Sequence, residues 1–368
     1  MIAVSIASLH VWPLRIPLRA PLHLASETII HAETLLVEAR DAEGRSGWGE
    51  ASAAPTMTGE VLAGMADVAR RYLAPALQGR DLPSITDIAP ILARAIRGNP
   101  GAKAATEMAL LDLAARRAGR PLCDLLGMRQ RDAVPAIAMI GGATDASVLE
   151  GALAARARGF RHIKVKLGLR ADPREDAALI GRLREALGPD AHLSGDANMA
   201  WTLDASRVFL AALPEGALDY LEQPLPDDDL ASLAELARGT ACPICIDEGL
   251  HGLRDIAAHR GIAAGFGLKA IKLGGLLPTL EADRLVREGG MRSTLACKIA
   301  ETSIGAAATL HLAAVLPDVD WGLSVTHAML TEDVASPGVA LRDGQAWLPD
   351  GNGIGVAPDP TLLEKFRV

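Results

Sequence analysis

The sequence predicts an α/β fold, a TIM-type (β/α) barrel carrying an N-terminal α+β capping domain. Three observations predict it. The 368 residues are more than the roughly 250 a barrel alone takes. From about Val134, short apolar runs alternate with Ala/Leu/Arg/Glu-rich stretches of helical periodicity, the spacing of parallel βαβ units. Before Val134 that alternation is missing.

Residues 1–130 read as the cap. VSIASLHVWPLRI, ETLLVEAR and RSGWGEA are strand-like, with a turn at DAEGR. Helical patterns follow from about Gly59 to Leu77 and from Ala102 to Ala118, the second stopped by Gly119-Arg120-Pro121. Pro17 to His31 and Ala51 to Thr58 are strand-poor and read as mobile loops. Residues 131–335 read as the barrel, its strands expected at VPAIAMIG, HIKVKLG, AHLSGDAN, LDYLEQP, PICIDEG, GFGLKAIKLGG, STLACKIAE and DWGLSV. Residues 336–368 read as a tail with a hairpin and turn at DGQAWLPDGNGIGV that returns to the cap.

Composition narrows the class of function. With 49% hydrophobic and 22% charged residues the chain suits a soluble enzyme rather than a disordered segment. A net charge of −8 argues against a nucleic-acid partner. No apolar run reaches membrane-spanning length, so no membrane partner is expected. The apolar start lacks a basic segment and soon meets Pro13, and four cysteines make no disulfide framework, so a cytoplasmic location is expected.

In a parallel barrel, side chains at the C-terminal strand ends line the active site. Those ends carry Lys164 and Lys166, then Asp196 and Asn198, then Glu222, then Asp247 and Glu248, with Lys269 in the sixth run. Asp196, Glu222 and Asp247 are 26 and 25 residues apart, one βα unit each time. A single such acid reads equally well as a solvated strand end or helix cap. Three in phase converge on one point, and converging carboxylates repel one another unless a cation sits among them. Hard oxygen donors without Cys or His favour Mg²⁺.

A lysine inside an apolar strand is costly unless paired or functional. Lys164 and Lys166, two apart, project to one face, while Lys269 approaches from the opposite side. Amines flanking a metal-bound carboxylate suit moving a proton on and off carbon, provided their neighbours and the ion lower the lysine pKa. Lys272 reads as surface or structural.

The KxK of HIKVKLG, the DAN of SGDAN, LEQP, IDE and GLKAIKLGG together resemble the enolase superfamily. KxK with a second lysine resembles its muconate lactonizing enzyme subgroup. GWGEA with PTMTGE, GNPGAKAATEMALLDLAARRAGRPLCDLLG and IAETSIGAAATLHLAA extend the likeness, nearest to dipeptide epimerases, over almost the whole chain. The resemblance implies Lys166 and Lys269 as acid/base catalysts, Lys164 as the residue tuning Lys166 and touching the substrate carboxylate, and Asp196, Glu222 and Asp247 as Mg²⁺ ligands. It implies Glu301 near the substrate and Asn198 as a further contact. The cap segments around His23–Ile30 and Thr56–Gly59 are expected to close over the ligand. The implied chemistry is abstraction of the proton α to a carboxylate through a metal-stabilised enediolate.

One departure stands out. Where dipeptide epimerases carry Asp-x-Asp on the last strand to meet an α-ammonium, alignment on MLTEDV puts Leu323 and Val325. Apolar residues there would leave a cation buried and unpaired, so an N-acyl or N-substituted amino acid is expected as substrate. Racemisation or epimerisation is the expected outcome. The alternatives are muconate-type cycloisomerisation, dehydration and, more distantly, a non-catalytic carboxylate-binding protein. A homo-oligomer is expected. Cys242 and Cys245 straddle a strand without a second pair, which disfavours zinc. GNGIG reads as a turn, His162 and His311 as packing residues, Trp321 as a wall, and His327 as a possible substrate contact.

Overall fold

The computed structural model describes residues 4–24, 28–142 and 144–368. An eight-stranded, mostly parallel, nearly closed barrel carries an N-terminal capping domain over the C-terminal ends of its strands. The cap is built on a three-stranded antiparallel sheet of β2 (Ser8–His23), β3 (Thr28–Arg40) and β4 (Ser46–Ser52), with a short pair of β1 (Val4–Ser5) and β5 (Asp81–Leu82) beside it. The Pro100–Ala118 helix packs across this sheet at very close range: a Cβ on Gly49 would lie 2.1 Å from the Ala105 carbonyl, and one on Gly47 2.2 Å from the Leu113 nitrogen. Only glycine admits that approach.

The stretch from Pro17 to His31, expected as a loop, continues as β-structure. β2 runs on to His23 and β3 starts at Thr28, with a register irregularity between Pro17 and Leu22. β2 is the outer strand of its sheet, where Pro13, Pro17 and Pro21 need not donate to a neighbour on both sides. Residues 25–27, inside this segment, lie outside the described residues. A helix at Ile88–Ala95 was not expected.

The barrel strands are β7 (Ile137–Ile140), β8 (His162–Lys166), β9 (His192–Asp196), β10 (Tyr220–Glu222), β11 (Ile244–Ile246), β12 (Gly265–Leu268), β13 (Arg292–Ala296) and β14 (Leu323–Ser324), hydrogen-bonded in sequence order. An isolated parallel bridge between Ala136 and Leu323 brings the last strand back to the first. Side-chain caps start several of the intervening helices, including Asp172, Thr202 and Asp229. Low in the barrel interior His162 stacks on His192, and Tyr220 on Trp321, forming an aromatic floor. β6 (Ala133–Pro135), split from β7, pairs with the tail hairpin β15 (Ala340–Arg342) and β16 (Gln345–Trp347). The final helix, Pro360–Phe366, packs on β2.

Buried carboxylates join cap, barrel and tail. Asp112 accepts from the Trp48 and Ile354 amides at 2.8 and 2.7 Å and pairs with Arg116. Glu60 accepts from Gly101 and Ala102, serving as the N-terminal cap of the long helix from outside it. No helix among the described residues is long and apolar enough to cross a membrane.

Candidate active site

The period of two along each strand decides which side chains reach the barrel mouth. Lys166, Asp196 and Glu222 are direct register partners across β8, β9 and β10. Glu222 is paired with Cys245, so Asp247, two residues on, shares its face one layer higher. Lys269 directly follows β12, which stands four places from β8 in the eight-strand order, so the two lysines come from facing walls. Lys164 lies one layer below Lys166, over the Tyr220 ring.

Each acid is held by an amine. Lys164 Nζ donates to Glu222 Oε2, and Lys166 Nζ to Asp196 Oδ2 at 2.6 Å and Asn198 Oδ1 at 3.0 Å. Lys269 donates to Asp247 Oδ2. Lys272, expected at the surface or in a structural role, is buried beneath the site, where it donates to Asp247 Oδ1 at 2.7 Å and to the Gly267 carbonyl at 2.8 Å. Asn198 Nδ2 donates to Glu248 Oε1 at 3.0 Å, and Glu248 Oε2 is buried with no partner among the described residues.

Burial and charge pull against one another here. Burial, reinforced by Asp196 and Asp247 and opposed by Lys164, pushes the Glu222 carboxyl up to about 7. Burial also acts on Asp247, yet Lys269 and Lys272 outweigh it and hold this carboxyl far below the usual range. For Lys269, burial favours the neutral amine, but Asp247, Glu248 and Glu222 win and raise its pKa. The lowering expected from neighbours and ion together is not supplied by the neighbours, whose carboxylates keep Lys269 charged.

Asp196, Glu222 and Asp247 fit a hard divalent cation by chemistry, being buried oxygen donors at adjacent strand ends whose mutual repulsion a cation relieves. With the lysines drawn onto them, no group of three or more His, Cys, Asp or Glu side chains among the described residues is arranged to hold an ion. Lysine ammonium groups occupy the oxygens a cation would use.

These residues line a small cavity of about 40 Å³, roofed by Leu24, Thr56 and Met57 from the cap. Its far wall is Ala296, Cys297, Lys298 and Ile299 after β13, with Ser324 from β14 and Met139 from β7. Lys164, Lys166, Lys269, Asp196, Glu222, Asp247 and Asn198 therefore all meet in one place.

Four expected contacts do not. Leu323 and Val325 belong to the hydrophobic core, and the residue that reaches the cavity is Ser324 between them. Gly322, at φ +79°, enters β14 in a left-handed conformation, which resets the alternation after Trp321. Glu301 is buried behind the wall at the seam with the cap, where it accepts from the Ser52 amide at 3.2 Å, and burial together with Glu50 pushes it up to about 8. The chain has turned under β4 by that point, so Ala296–Ile299 take the wall. His327 is also elsewhere, hydrogen-bonded to the Val339 carbonyl. The sequence reading placed Glu248 at a strand end without giving it a role, and missed Lys298 and Ser324. Glu248 and Lys298 were visible as charges at strand ends, whereas nothing local marks Ser324.

Two family models match the chain. The mandelate racemase / muconate lactonizing enzyme N-terminal domain covers residues 6–127, and the enolase C-terminal domain-like family covers residues 147–362. Muconate cycloisomerase 1 from Rhodococcus opacus is 33% identical over 362 residues, 97% of this chain and 96% of that protein. N-succinylamino acid racemase from Thermus thermophilus is 35% identical over 363 residues, 95% of each. Among solved structures, the substrate-liganded L-Ala-D/L-Glu epimerase from Bacillus subtilis is similar with a TM-score of 0.88 and 27% identity, over 96% of this chain and 99% of that one.

Proposed function

We propose, from the premise that this chain belongs to the mandelate racemase/muconate lactonizing enzyme family of the enolase superfamily and is an isomerase, that it racemises or epimerises an N-acylated or N-substituted amino acid. The observation that carries this reading is the pair of amines on facing walls, Lys166 on Asp196 and Lys269 on Asp247, with Glu222 from a strand between theirs. One lysine takes the α-proton from one face of the substrate and the other returns it to the opposite face, which inverts the carbon.

Asp196, Glu222 and Asp247 would hold Mg²⁺, which would supply the positive charge that makes the proton α to the substrate carboxylate more acidic. With those carboxylates engaged by a cation, Lys166 and Lys269 would be released from their ion pairs, leaving both amines free to face the substrate from opposite walls. Lys164 stays beneath, holding Glu222 and presenting positive charge to the substrate carboxylate. Leu24, Thr56 and Met57 exclude water from above. Apart from Glu248 the acids lining the cavity are the expected cation ligands, and β14 offers only Ser324, so an unsubstituted ammonium has no counter-ion on that wall.

Cycloisomerisation of a muconate-like diacid is the second reading, favoured by the 33% identity to a muconate cycloisomerase, since its chemistry passes through the same enediolate. Incubation of N-acyl amino acids in D₂O with Mg²⁺ separates the two. The racemase reading expects α-deuterium incorporation with loss of optical rotation, and cycloisomerisation expects lactone formation from muconate instead. In Lys166→Ala or Lys269→Ala, racemisation should fall by on the order of 10²–10⁴-fold while exchange survives for the enantiomer facing the remaining lysine. Undiminished racemisation in both variants would overturn the two-base reading.

A further inference from the structure

One acid in the cavity wall belongs neither to a lysine nor to the three carboxylates that fit a cation. Glu248 is buried, and the amides on either side of it, those of Asp247 and Gly249, both donate to Gln223 Oε1, at 2.9 and 3.1 Å. Its Oε1 accepts from Asn198 Nδ2 at 3.0 Å, and Asn198 Oδ1 accepts from Lys166 Nζ at 3.0 Å. The order of these groups fixes the amide between them. A lysine ammonium can only donate, so Asn198 must turn its oxygen to Lys166, which leaves its nitrogen for Glu248. The backbone is held for this contact. Asn198 lies at φ +44° and Met199 at φ +63°, a region that L residues rarely adopt. The Asn198 amide donates to Asp196 Oδ1 at 3.1 Å, and that of Met199 to the Gln223 carbonyl at 2.8 Å.

The two facing lysines differ in what holds them. Among the described residues Lys269 Nζ donates to Asp247 alone, whereas Lys166 Nζ has two acceptors, Asp196 and Asn198. Asp196 and Asp247 are both acids that fit a cation, so engaging them frees both amines. Asn198 is not one of them, and Lys166 keeps a hydrogen bond that Lys269 lacks. That bond has a fixed direction only while Glu248 occupies the Asn198 nitrogen. Without Glu248 the amide can turn and present N–H groups to the ammonium, which has nothing to accept them with. The charge of Glu248 by itself acts elsewhere, on Lys269, whose pKa it helps to raise.

We infer that Glu248 is a positioning residue for one of the two proton transfers: through Asn198 it aims the Lys166 amine at the substrate, while Lys269 works without such a guide. The use of the two amines rests on the racemase reading, and the chain from Glu248 through Asn198 to Lys166 stands on the geometry.

The test follows α-deuterium exchange of each enantiomer of an N-acyl amino acid separately, in D₂O on the Mg²⁺-loaded full chain. Lys166→Ala identifies the enantiomer that Lys166 serves. Glu248→Leu should slow exchange of that enantiomer at least about tenfold more than exchange of the other, in kcat rather than KM. Glu248→Gln loses the charge but keeps an acceptor for Asn198, so it should show little of this asymmetry. Asn198→Leu should reproduce the asymmetry, and the double variant should be no slower than the worse single one. Equal losses for both enantiomers, an asymmetry that falls on the Lys269 side, or one as deep in Glu248→Gln as in Glu248→Leu overturns the inference. Losses that multiply in the double variant overturn it too. So does a tenfold fall in Mg²⁺ affinity of Glu248→Leu by calorimetry, which would make Glu248 a cation donor. Crystal structures of Mg²⁺-loaded wild type and Glu248→Leu carry the test without substrate: the hydrogen bond from Lys166 to Asn198 should be present in the first and broken in the second. That structural change with no exchange in wild type would sink the racemase reading alone. Exchange in wild type with the hydrogen bond intact in the variant would sink this inference alone.

Discussion

The Glu107 carboxylate, in the middle of the cap's long helix, accepts the backbone amide of Leu276 at 2.8 Å, at the first turn of a barrel helix. Its other oxygen accepts from Leu277 at 2.9 Å. An acid from one domain thus caps a helix of the other. Burial is complete and pushes Glu107 up from 4.5 to about 7, against the two amides that favour its charged form. Because the folded chain keeps this proton where the unfolded chain releases it, the contribution to stability is full below about pH 4.5 and is lost as pH rises towards 7. At about 1.4 kcal/mol per pKa unit, the ceiling on that loss is about 3 kcal/mol. Chemical denaturation of wild type and Glu107→Gln across pH 4.5–8 should give a flatter profile for the variant. Parallel profiles would show that Glu107 ionises normally.

The sheet–helix contact in the cap gives a second expectation. A methyl group at Gly49 would lie 2.1 Å from the Ala105 carbonyl and 2.5 Å from the Ala109 nitrogen, both backbone atoms that no rotamer change can clear. Gly49→Ala must therefore push the helix off the sheet. It should cost at least the roughly 1–3 kcal/mol of ordinary overpacking, and lower Tm in calorimetry accordingly. Gly44, at the exposed turn with nothing within 4 Å, is the control for proximity: Gly44→Asn should be nearly silent at its φ of +81°.

Cation binding at Asp196, Glu222 and Asp247 is testable without substrate. If these side chains hold Mg²⁺, saturating the chain at a hundred times its Kd should stabilise it by about 2.7 kcal/mol. The stabilisation should vanish with a chelator. Glu222→Gln removes one donor charge and leaves Lys164 without its buried partner, so the variant should lose most of the Mg²⁺-induced rise in Tm. A full rise in that variant would place the cation elsewhere.

The barrel and its reactive mouth were readable because both follow from periodicity. Alternating runs mark the strands, and a charge closing an apolar strand is conspicuous, as Lys166, Asp196 and Glu222 were. Contacts distant in sequence left no such trace. Glu60, Glu107 and Asp112 look like ordinary charges until the fold supplies the backbone amides they cap. The prolines of β2 imitate a loop because propensity does not reveal that a strand is at an edge. β14 failed for a third reason. Only Leu323 and Ser324 are in regular pairing, after a left-handed Gly322, so too few residues existed to fix which of them faces inward.

That slip of one residue moves a specificity test from Leu323 and Val325 to Ser324. Ser324 is the register partner of Ala296 and reaches the cavity, whereas Leu323, fully buried, pairs with Leu295 in the core. An aspartate at 323 would bury a charge with no partner, so Leu323→Asp should lose several kcal/mol and unfold at much lower denaturant. Ser324→Asp places its carboxylate in the cavity mouth instead and should stay folded, within about 1–2 kcal/mol of wild type. It supplies the counter-ion that β14 lacks for an ammonium, so turnover of L-Ala-L-Glu relative to N-acetyl amino acids should rise at least tenfold, worth about 1.4 kcal/mol. Should Leu323→Asp fold normally and produce that rise while Ser324→Asp does not, β14 faces the substrate in the other register.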